Sequence, residues 1–188
     1  VGSLIKEPFK IHRIKDCDLE YEATRLLKMV GLSADFVERF PHQLSGGQAR
    51  RVGIARSLAL SPKLLIADEP TAGLDVSVQG EILNLLGQLR EEYGISILLI
   101  SHNLSIVRHV ADRMAIMYLG RLIEEGDTET IFDNPRHPYS RALLQSVLVP
   151  APNRTRNKFR LTGDVPSLFE RPSGCDFHPR CPVVADRC

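Results

Sequence analysis

Leu64-Leu65-Ile66-Ala67-Asp68-Glu69-Pro70 is an apolar run that ends in two adjacent carboxylates. Four consecutive apolar residues, Leu64 to Ala67, have the length of a buried strand. Carboxylates at its end are costly to bury unless they have work to do. Downstream, Asp75 is placed to cap a helix whose stripe is Val78, Ile82, Leu85, Leu86 and Leu89, and Gly94 is placed to close it. Ile95 to Ile100 then predicts a second buried strand. Two fully apolar strands joined by a long helix indicate a parallel crossover, which puts both strand ends at one edge of the sheet. Asp68, Glu69 and His102 are therefore expected at a common rim of an α/β domain. Taken alone, the acid pair reads equally well as a helix cap beside a solvated charge, and a single histidine after a strand is more often structural than catalytic.

Upstream of this unit, Leu19, Ala23, Leu26, Leu27 and Val30 recur at helical spacing over residues 18 to 30, with Gly31 as a stop. Ser33 precedes a short amphipathic stretch bearing Phe36, Val37 and Phe40, which Pro41 ends. Next comes Leu44-Ser45-Gly46-Gly47-Gln48. Ser45 with Gln48 three positions on is a capping box, so the plain reading is a well-made helix start. Gly46 and Gly47 also remove side chains where free amides and the positive helix end emerge, which suits a closely approaching phosphate. The two readings are compatible. Val52, Ala55, Leu58 and Ala59 mark the buried face of that helix, ending near Ser61-Pro62.

Beyond His102, Met114 to Tyr118, a Gly120-Arg121 turn and Leu122 to Glu124 predict a hairpin, and Pro138 suits the first turn of a helix reaching Val147. Residues 149 to 160, rich in Pro, Asn and Arg, read as a linker into a small tail. With 188 residues, 43% of them hydrophobic, there is enough apolar material for one domain with a real core. Lys and Arg number 24 against 23 Asp and Glu, so no basic field favours nucleic acid as a partner. No apolar run approaches the roughly 20 residues of a membrane span, and no signal-peptide pattern opens the chain. Cys17 stands alone while Cys175, Cys181 and Cys188 crowd the end, which is not the layout of a disulfide framework.

The order Ser45-Gly46-Gly47-Gln48, then Asp68-Glu69, then Ser101-His102 strongly resembles the ATPase subunits of ATP-binding cassette (ABC) transporters. The resemblance implies the C-terminal part of a P-loop NTPase fold: a parallel sheet, a helical subdomain and a Cys-containing tail. It divides the chain into a partial nucleotide-binding domain over 1–148, helical over about 1–61 and sheet core over about 62–148, followed by 149–188 as linker and tail. Ser45, Gly46, Gly47 and Gln48 match the signature motif, which in that family meets ATP held by the opposite subunit of a head-to-tail dimer. Asp68 is implied as the Mg²⁺ ligand, through water, and Glu69 as general base. Asp75 matches the loop that reaches toward the dimer partner, and His102 matches the histidine that senses the γ-phosphate.

Asp75-Val76-Ser77-Val78-Gln79, Asn134-Pro135-Arg136-His137-Pro138-Tyr139-Ser140 and the cysteine tail resemble the oligopeptide, dipeptide and nickel uptake branch. That resemblance implies an importer subunit on the cytoplasmic face of the membrane, bound to a second ATPase subunit and to permease subunits. An extracytoplasmic solute-binding protein would serve it indirectly. It also implies a [4Fe-4S] cluster at Cys175, Cys181 and Cys188; read from the residues themselves, His178 would instead complete a Cys₃His zinc site, and the alternative is three reduced thiols packing a small tail. No Gly-Lys pair occurs anywhere, so the phosphate-gripping Walker A loop is absent from these residues. Alone, they are expected to be inactive. The rival readings are a non-hydrolysing remnant and a soluble ABC ATPase outside transport.

Overall fold

The structure is a computed structural model that describes residues 1–146, 161, 163–186 and 188. They form two compact units, Val1–His102 and Asn103–Cys188.

The first unit opens with α1 (Gly2–Ile11), in which Ile5 and Phe9, one turn apart, are buried. α2 (Leu19–Met29) is capped by Asp18, whose carboxylate accepts from the Glu20 and Tyr21 amides at 2.9 and 3.2 Å. The expected amphipathic stretch after Ser33 is a 3₁₀ turn over Ala34–Glu38 rather than an α-helix, and a second such turn spans Pro41–Gln43. Pro41 has no amide to continue the first, and only Phe36 of its apolar residues is fully buried. α3 (Gly46–Ser57), β1 (Leu64–Asp68), α4 (Val76–Tyr93) and β2 (Ser96–Ile100) follow. One core gathers Ile5, Phe9, Leu26, Leu27, Val30, Val52, Ala55, Ile82 and Leu89. Each such Leu, Ile or Phe contributes on the order of 1.5–3 kcal/mol by leaving water.

β1 and β2 pair in parallel, Leu64 opposite Ser96 through Asp68 opposite Ile100, and α4 is the crossover between them. Gly94 ends α4 at φ +64°, a left-handed cap that costs glycine little. The strands themselves depart from expectation. They are not fully buried: Leu64, Ile66, Leu98 and Ile100 are all about half exposed, and Leu65 is the only fully buried residue of the pair. Side chains alternate across a strand, so a helix layer on one face leaves the other face of these two strands open in the described residues.

In the second unit, α5 (Leu104–Val110) is capped by Asn103, and β3 (Arg113–Tyr118) pairs antiparallel with β4 (Arg121–Asp127). The turn lies one residue earlier than expected, at Leu119 and Gly120, both with positive φ (46° and 76°). Two consecutive positive-φ residues make the type I′ turn that matches strand twist. α6 (Thr128–Asp133) is capped by Asp127 and α7 (Pro138–Gln145) by His137. The expected end of that last helix at Val147, and the linker at 149–160, lie outside the described residues.

The tail docks within this unit through Phe177, which is 1% exposed. Its ring meets Tyr118 edge-on with centroids 5.3 Å apart, Tyr139 at 5.5 Å and His137 at 5.6 Å. The buried Asp176 carboxylate faces the guanidinium groups of Arg121 and Arg171 at 3.4 and 3.7 Å. The Cys175 amide donates to the Cys188 carbonyl at 2.7 Å, closing the tail into a loop.

Candidate functional site

The rim of the parallel pair is built by register. Asp68 is the last residue of β1 and the Glu69 amide donates to the Ile100 carbonyl at 2.9 Å, so the chain stays paired one residue past the strand. Glu69 then turns left-handed, at φ +45°, and Pro70 follows it. His102 stands at the corresponding end of β2. Both its backbone amide, at 2.9 Å, and its Nδ1, at 2.7 Å, bind Glu69 Oε1. With the proton on Nδ1, the imidazole donates, and this bond from the His102 side chain holds the Glu69 carboxyl below the usual carboxylate range against a smaller opposing effect of burial. Glu69 is therefore an ionised acceptor at neutral pH. Asp68 is exposed beside it, a hard oxygen donor of the kind that Mg²⁺ takes.

The second element is the start of α3. Gln48 donates its amide to Ser45 Oγ at 3.3 Å, and Ser45 donates its own to Gln48 Oε1 at 3.0 Å. The box thus occupies the amides of Ser45 and Gln48, and geometry gives Gly46 and Gly47 no acceptor within the helix. These two amides stand at the positive end of the helix dipole. Asp75, expected near this region, caps α4 by accepting from the Val78 amide at 3.0 Å.

The tail cysteines are arranged differently from a metal centre. Cys175 and Cys188 meet through the backbone, and His178 Nδ1 lies 3.0 Å from the Cys175 carbonyl oxygen. Among the described residues no group of three or more His, Cys, Asp and Glu side chains is gathered closely enough to hold a metal ion. Sequence reading gave no separate role to Arg50 or Phe177, and saw Gln79 only as part of a resembling segment and Glu124 only as the end of a strand. Glu124 has the clearest role: its two oxygens take the amides of Arg136 at 2.7 Å and His137 at 3.0 Å, fixing the loop before α7.

Known proteins match the chain along its length. Residues 6–72 match the family described as ABC transporter, and residues 123–188 match the oligopeptide/dipeptide transporter, C-terminal region. The chain is 45% identical to the dipeptide transport ATP-binding protein DppF of Haemophilus influenzae, a match covering all of this chain and 58% of that protein. It is 46% identical to the oligopeptide transport ATP-binding protein AppF of Bacillus subtilis, over 99% of this chain and 57% of that protein. Among solved structures, a dimeric ATP-binding cassette in a post-hydrolysis state, bound to ADP and Pi, superposes with a TM-score of 0.57 at 31% identity, covering 66% of this chain and 54% of that one. The chain spans little more than half the length of these relatives.

A parallel crossover with an acid pair at its rim, beside a helix opening on two glycines, defines an α/β nucleoside-triphosphatase fold. Within that class, the chain belongs to the ATP-binding proteins of ABC transporters.

Proposed function

We propose that these residues are the signature, acid-pair and switch-histidine part of a subunit that hydrolyses ATP to power peptide import. The observation that carries the reading is the Glu69–His102 pair at the rim of the parallel sheet. Glu69, kept ionised by His102, orients the attacking water and takes its proton. In its imidazolium form, with both nitrogens protonated, His102 donates through Nδ1 to Glu69 and through Nε2 to an oxygen of the γ-phosphate. Asp68 holds Mg²⁺ through water, and the ion supplies charge neutralisation at the phosphates. Ser45 and Gln48 hold the start of α3 so that the Gly46 and Gly47 amides meet ATP carried by a second ATPase subunit. Asp75 contributes its loop to the same contact.

Residues 1 to 44 face the permease subunits, and an extracytoplasmic binding protein delivers solute from the other side. Among the described residues no helix is long and apolar enough to cross a membrane, which suits a peripheral subunit on the cytoplasmic face. The solute class is a dipeptide or oligopeptide, or a related cargo such as nickel; the names of the relatives support the peptides. The tail thiols carry no step. A [4Fe-4S] cluster or zinc at Cys175, Cys181 and Cys188 would require these side chains to be drawn together from the arrangement described. Iron, sulfide and zinc analysis after anaerobic purification tests that point.

The central test uses the protein at the length of its relatives, with its partner subunit. Glu69→Gln should retain ATP binding and lower turnover by about 10² to 10⁴. Turnover at the unsubstituted rate would remove Glu69 from the role of base.

A further inference from the structure

Gly46 and Gly47 open α3, and the space a side chain would need there is already taken by this chain. A Cβ on Gly47 would lie 2.6 Å from Val78 Cγ1, whereas one on Gly46 would lie 3.1 Å from Leu74 Cδ2. Carbon atoms pack at about 3.5–4 Å, so the first is a collision. Leu74 can turn its longer side chain aside. Val78 cannot: it is β-branched, it stands in the first turn of α4 where one χ1 rotamer dominates, and its amide is tied to Asp75 Oδ1.

Further bonds fasten the same two segments. Arg50, on α3, donates to the Ala72 carbonyl at 3.3 Å, while Gln79 steadies the second segment from within by donating through Nε2 to the Leu74 carbonyl at 2.9 Å. Arg51 bridges from α3 to Glu81 of α4 at 3.1 Å. The start of α3 and the segment from Thr71 to Glu81 therefore form one packed body, and any shift of Val78 is passed to the glycine amides.

We propose that Val78 is a positioning residue: its side chain fills the volume beside Gly47 and sets where the amide-bearing start of α3 stands. Position 47 is glycine because Val78 occupies the space, and not only because a phosphate must come near. The branch-resembling segment Asp75 to Gln79 then has a physical task, which is to fix the geometry of the signature helix from behind. This inference rests on the proposal that the start of α3 serves ATP held by the second subunit.

The test is a compensating pair in the protein of full length, assembled with its partner subunit. Gly47→Ala should displace the start of α3 by about an ångström and lower kcat on the order of 100-fold. Adding Val78→Ala removes the colliding Cγ1, so the Gly47→Ala/Val78→Ala protein should return to within about threefold of Val78→Ala alone. Gly47→Ala/Val78→Ile keeps the branch and should stay inactive. A double variant with Val78→Ala as impaired as Gly47→Ala overturns the inference, since the glycine would then be needed on the ligand side. If Gly47→Ala fails to fold, the same comparison is read in melting temperature, where Val78→Ala must rescue and Val78→Ile must not. Ser45→Arg separates the two proposals. Full turnover in that variant sinks the role of α3 itself, whereas loss of turnover with no rescue by Val78→Ala sinks only the Val78 inference.

Discussion

Phe177→Ala should undock the tail while the hairpin beneath it stays folded. The ring is 1% exposed and is held by Tyr118, Tyr139 and His137 at centroid distances of 5.3 to 5.6 Å. Truncating a buried phenylalanine costs about 3–5 kcal/mol, and the described tail has only the short 3₁₀ turn His178–Arg180, which is too small to hold a cavity open, so about 3 kcal/mol is expected. The amides of Cys175, His178, Arg180 and Cys181 each donate to a backbone carbonyl within the tail. Their hydrogen exchange should therefore quicken by about two orders of magnitude, the factor that about 3 kcal/mol represents. Amides of the β3–β4 ladder should change by less than about threefold, because the tail opens as a local unit. Tail amides that exchange at the unsubstituted rate would show that Phe177 does not hold this segment, and equal acceleration across the hairpin would show that the tail is not a separable layer.

Ser45→Ala removes the acceptor for the Gln48 amide and should cost about 1 kcal/mol in urea unfolding of residues 1–188; an unchanged midpoint would deny the cap its role. Ile66→Lys, at a position 60% exposed, should cost less than about 0.5 kcal/mol in the same residues, whereas a loss of several kcal/mol would mean that this sheet face is covered. Burial lowers the His137 pKa, opposed by the nearby Glu124 charge, so the fold favours the neutral ring that caps α7. The unfolded chain binds that proton more readily, so stability of the second unit should be fully present above about pH 6.5 and fall below it. His137→Gln should flatten that limb, and a profile unchanged by it would refute the assignment. Glu124 adds a second limb: burial raises its pKa, but the bonds from the Arg136 and His137 amides help to outweigh this and hold it low, so its contribution is fully present above about pH 4.3 and lost below it, and Glu124→Gln should remove that step.

The crossover from Leu64 to Ile100 was legible because its signals are local: apolar runs, an i, i+3, i+4 stripe, and glycine where a left-handed cap is needed. Topology then brought Glu69 and His102 together without further information. α1 left no such trace. Pro8 lies inside it, and a proline within a helix costs about 3 kcal/mol, so the segment reads as a break until the burial of Ile5 and Phe9 is seen to offset it. α5 and α6, capped in the structure by Asn103 and Asp127, are too short for a period to show. The half-exposed strands had the opposite problem, since apolar composition reports what a residue prefers and not which face has a neighbour. Val78 against Gly47, and Phe177 against Tyr118, are contacts between distant positions; no spacing rule encodes them. Glu124 is the intermediate case, a carboxylate whose value lies in two amides twelve and thirteen positions away.

The left-handed backbone at Glu69 has a consequence for engineering. A side chain other than glycine or asparagine held at φ +45° stores about 1–2 kcal/mol of strain. Glu69→Gly would release it and discard the carboxylate in the same stroke. Sorting a library of these residues for heat resistance alone sets the relief of that strain against only the two bonds from His102, and exerts no pressure to keep the carboxylate for its chemistry. Directed evolution of this chain therefore needs a catalytic gate at every round, because one of its four strained non-glycine positions among the described residues is the proposed base.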